Sequence, residues 1–280
     1  MAGFINSNAL EIGNENVDTT FSPLLEANLW QDSIFEAGRT FTDKYMEDEA
    51  NQIFVRKLGK GTVDRTSSLT FTHNQTADEL IPIVLDEPFK QSEAVYEEVN
   101  VARSSGKGAQ KMEVVVRNVN EEWQKVAMDK LVAGATASSD TTATTAETVK
   151  AQIISVRKEL RENHAKPTVL LVSPRIYAFL QEFSGKEFQL AYNDEVIRTG
   201  QLGSFLGLPV YEATYLEDNG ASGDVEFIMY DHEAYSILTR LIASRLIPAG
   251  KDWVGSAAQV QIKSGFKVTT PDRVIKHAIA

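Results

Sequence analysis

Leu202-Gly203-Ser204-Phe205-Leu206-Gly207-Leu208-Pro209-Val210 places two glycines four residues apart and then runs into an apolar stretch. Together with Gly200, they invite a phosphate-loop reading. A dinucleotide site needs the order strand, glycines, helix, so that the phosphate meets a helix N-terminus. Here the strand expected over Leu208 to Tyr211 follows the glycines, and no G-x-G occurs. Turns and tight backbone contacts account for these residues, since glycine brings no Cβ. The stretch reads as a glycine-bounded loop entering a strand, which steers the chain away from a regular βαβ wind.

Upstream, Thr168-Val169-Leu170-Leu171-Val172 is continuously apolar after Pro167, as suits a strand buried on both faces. Ser173-Pro174 then opens a short helix carrying Ile176, Phe179 and Leu180. A serine between strand and helix superficially resembles a nucleophile elbow, but Val172 and Pro174 stand where that motif needs glycines. Ser173 is read as a helix N-cap instead. Thr144 and Glu147 have capping-box spacing ahead of Val149, Ile153, Val156 and Leu160, which recur at helical intervals. The Ser/Thr/Ala tract from Ala135 to Thr145 is the best linker candidate. Earlier still, Met112, Val115, Val119, Trp123 and Val126 share one helix face. Glu121 and Lys125 form a favourable i,i+4 pair on another face, and Gly134 stands where a C-terminal glycine cap belongs.

Downstream, Val225 to Tyr230 is a further strand candidate. Val260 and Ile262 alternate, Ser264-Gly265 reads as a turn, and Phe266 and Val268 alternate again, which predicts a hairpin. Pro271-Asp272 and the apolar pair Val274-Ile275 follow. No internal repeat is visible. Helices and strands interleave irregularly, so the fold class is α+β.

The first part of the chain is different. Residues 1–22 are polar, show no sustained period and read as an extended arm. Ser22-Pro23 opens a helix with the stripe Leu24, Ala27, Trp30, Ile34, Ala37 and Phe41. From about 52 to 102 the period becomes two. Leu69 and Phe71 alternate with polar residues, and Ile81, Ile83 and Leu85 follow a polar tip from His73 to Glu79. This predicts a long two-stranded ribbon. An isolated hairpin is marginal in water, so the ribbon must lie on something, and a neighbouring copy is the candidate.

Composition removes several function classes. Acidic residues outnumber basic ones 39 to 28, for a formal net charge of −11, and no long Lys/Arg run occurs. Proteins that grip nucleic acid draw affinity from clustered cations, so sequence-specific DNA binding is disfavoured. Cysteine is absent, which excludes disulfides, thiolate nucleophiles and cysteine metal sites. Met1-Ala2-Gly3-Phe4 lacks a secretory pattern, and no apolar run approaches the roughly 20 residues that a membrane span requires. A soluble protein made in a reducing compartment, with no membrane partner, is the expectation.

The four histidines, His73, His164, His232 and His277, show no two-His helical spacing. Asp231-His232-Glu233 is the one tight acid–His cluster and reads as a surface turn, because consecutive strand side chains face opposite ways. Gly59-Lys60-Gly61 and Gly106-Lys107-Gly108 lack the remaining elements of a P-loop. Glu97-Glu98 and Glu121-Glu122 read as solvated pairs. No catalytic, cofactor or metal site is predicted.

Four segments, in this order, carry a resemblance. They are Trp123 to Gly134 with Asp129-Lys130-Leu131; Leu170-Leu171-Val172-Ser173-Pro174; the 202–210 stretch; and Gly265-Phe266-Lys267-Val268-Thr269-Thr270-Pro271-Asp272. Over nearly the whole chain they resemble the Hong Kong-type fold of tailed-bacteriophage major capsid proteins: the end of a long spine helix, a strand entering an axial-domain helix, a Gly-x-Pro-Val strand, and a closing strand with its turn.

The resemblance implies an N-terminal arm and first helix over 1–50 and an extended loop over 51–103 that overlaps an adjacent subunit. It implies a spine helix of the peripheral domain over 104–135, an axial domain over 136–240, and return strands over 241–280. Trp30, Leu69, Phe71, Ile81, Ile83, Gly203 and Gly207 become the assembly-interface candidates. The implied protein is a homo-oligomer of hexamers and pentamers forming an icosahedral head around double-stranded DNA. A separate scaffolding protein and a portal would be its partners, its place the virion, and its assembly the host bacterial cytoplasm. Lys57 and Lys60 lie where some members crosslink, but no matching Asn motif is present, so that chemistry is not carried over. The rivals are an encapsulin-type compartment shell, a phage tail or connector protein, and an enzyme.

Overall fold

A computed structural model describes residues 52–58, 78–95, 107–182, 188–190, 201–216, 221–247 and 256–280. Its first elements are β1 (Gln52–Leu58), β2 (Asp78–Val84), β3 (Glu87–Val95), the long helix α1 (Lys107–Gly134) and β4 (Thr136–Ala137). Then come α2 (Val149–Glu162), β5 (Val169–Val172), α3 (Pro174–Glu182), β6 (Phe188–Leu190), β7 (Gln201–Phe205) and β8 (Leu208–Glu212). The last are β9 (Val225–Tyr230), β10 (Tyr235–Ile247), β11 (Ser256–Val268) and β12 (Val274–Ala278).

The run over 169–172 is buried at every position, as its unbroken apolarity predicts. β5 lies inside a seven-stranded sheet ordered β4-β12-β9-β5-β8-β7-β6, parallel to β8 and antiparallel to β9. Because strand side chains alternate, the run divides between two cores. Val169 and Leu171 join Ile228 and Tyr230 of β9 on the face toward α1. Leu170 and Val172 join Phe227 and Met229 on the other face, against Ile153 and Leu160 of α2 and Ile176 and Leu180 of α3. Ser173 caps α3 as read: its Oγ accepts a hydrogen bond from the Ile176 N–H at 3.2 Å.

A second sheet, β10-β11-β3, carries α1. Val115, Val119 and Trp123 form the predicted buried face, and Val126 packs beside it; the Met112 side chain lies outside the described residues. The Trp123 indole N–H donates to Ser264 Oγ at 2.8 Å, and its ring meets Phe266 at 5.6 Å between centroids. Tyr235 donates its hydroxyl hydrogen to the Ala127 carbonyl at 2.6 Å. From β12, Lys276 Nζ donates to the Val132 carbonyl at 2.9 Å, satisfying an end-of-helix acceptor with a cation where the helix dipole favours one.

Four local expectations are corrected. Ser264-Gly265 is no turn: β11 runs straight through it and pairs with β10 along its length. Gly265 is needed because a Cβ there would meet the Val84 carbonyl oxygen at 2.2 Å. Gly134 ends α1 without the left-handed φ of a glycine cap; its missing Cβ makes room for Val268, whose Cγ2 would lie 2.5 Å away. The 135–145 tract is not a loose linker, since β4 pairs in parallel with β12 and Ser138 and Thr144 are buried. Thr144 and Glu147 form no capping box. Thr148 is the N-cap of α2, and Thr145 and Thr148 exchange hydrogen bonds instead, while Thr144 is drawn to Glu226.

Candidate functional site

The two-stranded ribbon is built by β1 and β2, paired from Gln52↔Val84 to Leu58↔Asp78. One face is anchored to the subunit. Ile53, Ile83 and Leu85 pack with Leu238 of β10, with Val55 beside them. The Gly265 contact brings the β11 backbone directly under Val84. Ile83, at 1% exposure, is spent inside its own chain. Ile81 is half-buried opposite Val55.

On the opposite face, none of the described residues covers the apolar side chains. Phe54, Leu80 and Val84 are 53%, 57% and 43% exposed. Phe54 lies across from Pro82, itself exposed. Scattered apolar residues on a surface are ordinary, but three large ones on one face of a thin ribbon make a contiguous patch of the kind that marks an interface. The region expected to be only a two-stranded ribbon holds a third strand: β3 pairs with β11 and is rooted in the body, where Phe89 meets Phe266 edge-on at 6.5 Å.

Of the other sequence-predicted positions, Gly203 is buried in β7, opposite Val210 and Leu190, where it serves sheet pairing. Gly207 is exposed with φ +77°, following Leu206 at φ 51°, and makes the tight turn from β7 into β8. Two consecutive left-handed residues are the type I′ hairpin requirement, and glycine meets it cheaply. Trp30, Leu69 and Phe71 lie outside the described residues.

The polar side chains build a fastening more than a catalytic centre. Among the described residues no three His, Cys, Asp or Glu converge as a metal site. Asp231-His232-Glu233 is a single 3-10 turn capped by Asp231, whose carboxylate accepts the Glu233 N–H, but Asp231 is buried where a surface turn was expected. The densest polar cluster lies between the 135–145 tract, β9, β12 and α3. Glu226 is fully buried. Its carboxylate accepts from the Thr144 N–H at 2.9 Å, from Thr144 Oγ1 at 2.5 Å and from His277 Nε2 at 3.1 Å, with Arg175 at 3.4 Å. His277 Nδ1 lies 3.1 Å from Ser138 Oγ.

The Ser138–His277–Glu226 chain has the composition of a hydrolytic triad. All three residues are buried, however, and the serine proton is engaged with the Asp140 carbonyl at 2.5 Å. A triad needs its hydroxyl free to meet a substrate. Burial alone would raise the Glu226 pKa, but the hydrogen bonds from His277 and Thr144 outweigh it and hold the carboxyl below its ordinary value. Sequence reading missed this cluster because its members are scattered along the chain; an acidic residue inside the apolar run Val225 to Tyr230 was the one available signal.

No protein-family model matches the chain, and no curated protein does. Solved structures do. The chain superposes on a structure from Mycobacterium phage Che8 with TM-score 0.64 at 17% identity, covering 82% of this chain and 85% of that one. It superposes on the capsid structure of the cyanophage P-SCSP1u with TM-score 0.60 at 13% identity, covering 89% of each. A virus-like particle from Pyrococcus furiosus matches with TM-score 0.60 at 12% identity, over 94% of this chain and 98% of that one. The chain has the mixed helix-and-sheet fold of these three structures.

Proposed function

We propose that this chain is the major capsid protein of a tailed bacteriophage, assembling as hexamers and pentamers into an icosahedral head around double-stranded DNA. The observation that carries the reading is the uncovered ribbon face of Phe54, Leu80 and Val84 on a chain whose fold is that of capsid structures. A second copy is the natural cover. Closed shells arise when one patch meets its partner at slightly different angles, which a thin ribbon permits. In this reading the 51–103 region is the extended loop, rooted through β3, and 104–135 the spine helix. The axial domain spans 136–240, the return strands 241–280, and 1–50 the arm. Gly207 at its tight turn and Ile81 at the ribbon flank remain interface candidates, as do Trp30, Leu69 and Phe71 on the sequence reading. A scaffolding protein and a portal would complete the assembly, in the virion and without catalysis.

An encapsulin-type compartment shell is the second reading, favoured by the likeness to the archaeal virus-like particle. Purified protein viewed by negative-stain microscopy should form closed shells under either reading. Phe54→Ser with Leu80→Ser should abolish them while leaving the circular dichroism spectrum and Tm unchanged, because both side chains are already exposed. Shells that persist in the double variant, or a native chain that stays monomeric at high concentration, would overturn the proposal. Mass spectrometry of shells made in cells separates the readings: a single enclosed cargo protein points to the compartment.

A further inference from the structure

We propose that the buried His277–Glu226 pair is a proton-operated fastener that holds the 135–145 tract and the strand carrying His277 onto the central sheet. The argument begins with the imidazole's partners. Nε2 faces the Thr142 carbonyl at 3.0 Å and the Glu226 carboxylate at 3.1 Å, and both can only accept. Nδ1 faces Ser138 Oγ, whose own hydrogen is directed to the Asp140 carbonyl. Each ring nitrogen therefore has a partner that takes a hydrogen and none that offers one. Only the doubly protonated imidazolium satisfies that arrangement.

The charge is balanced locally. Glu226 on β9 faces the ring edge, the Asp140 carboxylate lies on the tract, and Arg175 of α3 reaches the far side of Glu226 at 3.4 Å. Gln152 of α2, uncharged, donates to the same Thr142 carbonyl at 3.0 Å. The Phe227 ring stacks on the imidazole at 4.8 Å and 11°, a face that favours a cation. Burial works against the ring's charge, but the Glu226 carboxylate and the Thr142 carbonyl outweigh it and raise the His277 pKa above its ordinary value.

Removing the proton leaves one nitrogen as an acceptor facing another acceptor in a site closed to water. The groups that then separate are those the ring ties together. Thr142 and Ser138 belong to the tract, which is continued by Ser138 N–H to the Lys276 carbonyl and Ala280 N–H to the Thr141 carbonyl. The hydrophobic cores on the two sheet faces do not depend on this proton, so the opening is local.

A histidine that binds its proton more tightly when folded stabilises the fold fully below its unfolded pKa, about 6.5. That contribution is lost as pH rises through the folded value. Tm of the full chain should therefore fall by about 2–4 °C or more from pH 6 into the alkaline range. His277→Gln should flatten that slope. Hydrogen exchange of peptides covering 136–147, corrected for intrinsic rate, should rise at least tenfold over the same range in the native protein. Nitrogen-15 NMR of histidine-labelled chain should find one of the four rings still doubly protonated above pH 6.5. That measurement decides the matter if His277→Gln fails to fold. A His277 ring that is neutral at pH 6, or a slope that His277→Gln leaves intact, would overturn the proposal.

Discussion

A methyl group at Gly265 has nowhere to go. The Val84 carbonyl oxygen would lie 2.2 Å from it and the Val84 carbonyl carbon 2.9 Å, both backbone atoms of a paired strand. Neither can move without shifting the ribbon. Gly134 is tight in another way. Its Cβ would meet Val268 Cγ2 at 2.5 Å, and the alanine gains helix propensity of up to about 1 kcal/mol. Gly265→Ala should cost about 1–3 kcal/mol, the usual toll of overpacking, and Gly134→Ala less. Urea midpoints of the two variants measure the difference, and a Gly265→Ala protein as stable as the native one would show that the ribbon is not seated on β11. Both glycines stand at meeting points between elements, with no left-handed φ at either.

At the scale of elements, the buried Glu226 carboxylate is a main anchor of the 135–145 tract, alongside Glu159, which accepts from Ser139, and His277. Thr144→Val keeps the side-chain shape and deletes the hydroxyl that donates to Glu226, leaving the backbone N–H, His277 and Arg175. Loss of a hydrogen bond to a buried charge costs about 1.5–3 kcal/mol. The denaturant midpoint should fall with an unchanged m-value, since the same surface unfolds. A change in m would mean that the tract unfolds separately. This is also where sequence reading stopped. β5, β8, β9 and the Ser173 cap are legible because their signals are local: an apolar run, a glycine-bounded entry, a serine before proline. Thr144 had the spacing of a capping box, but the local rule lost to a buried carboxylate supplied by β9. Ser264-Gly265 had the composition of a turn, and its true role was set by a carbonyl from β2. The uncovered face of the ribbon could have been found from Phe54, Leu80 and Val84, the residues that alternate with Ile53, Ile81 and Ile83, had the strand ends been placed correctly.

For the whole molecule, charge and apolar contact oppose each other. Each copy carries a formal −11, so copies brought together in a shell repel, and a net charge of this size favours separate molecules in dilute buffer. The attraction proposed here comes from Phe54, Leu80 and Val84, which carry no charge and lose nothing to screening. Salt should therefore weaken one side of the balance only. The Debye length shrinks from about 10 Å at 0.1 M to about 3 Å at 1 M, within which most repulsion between neighbouring surfaces disappears. The protein concentration at which light scattering first reports shells should fall as sodium chloride is raised across that range. Contacts dominated by ion pairs between copies would respond in the opposite sense, because screening would weaken the attraction itself. A threshold that climbs with salt would therefore move the adhesive surface from the ribbon's apolar face to charged side chains elsewhere, and Phe54→Ser with Leu80→Ser would then leave the threshold where it was.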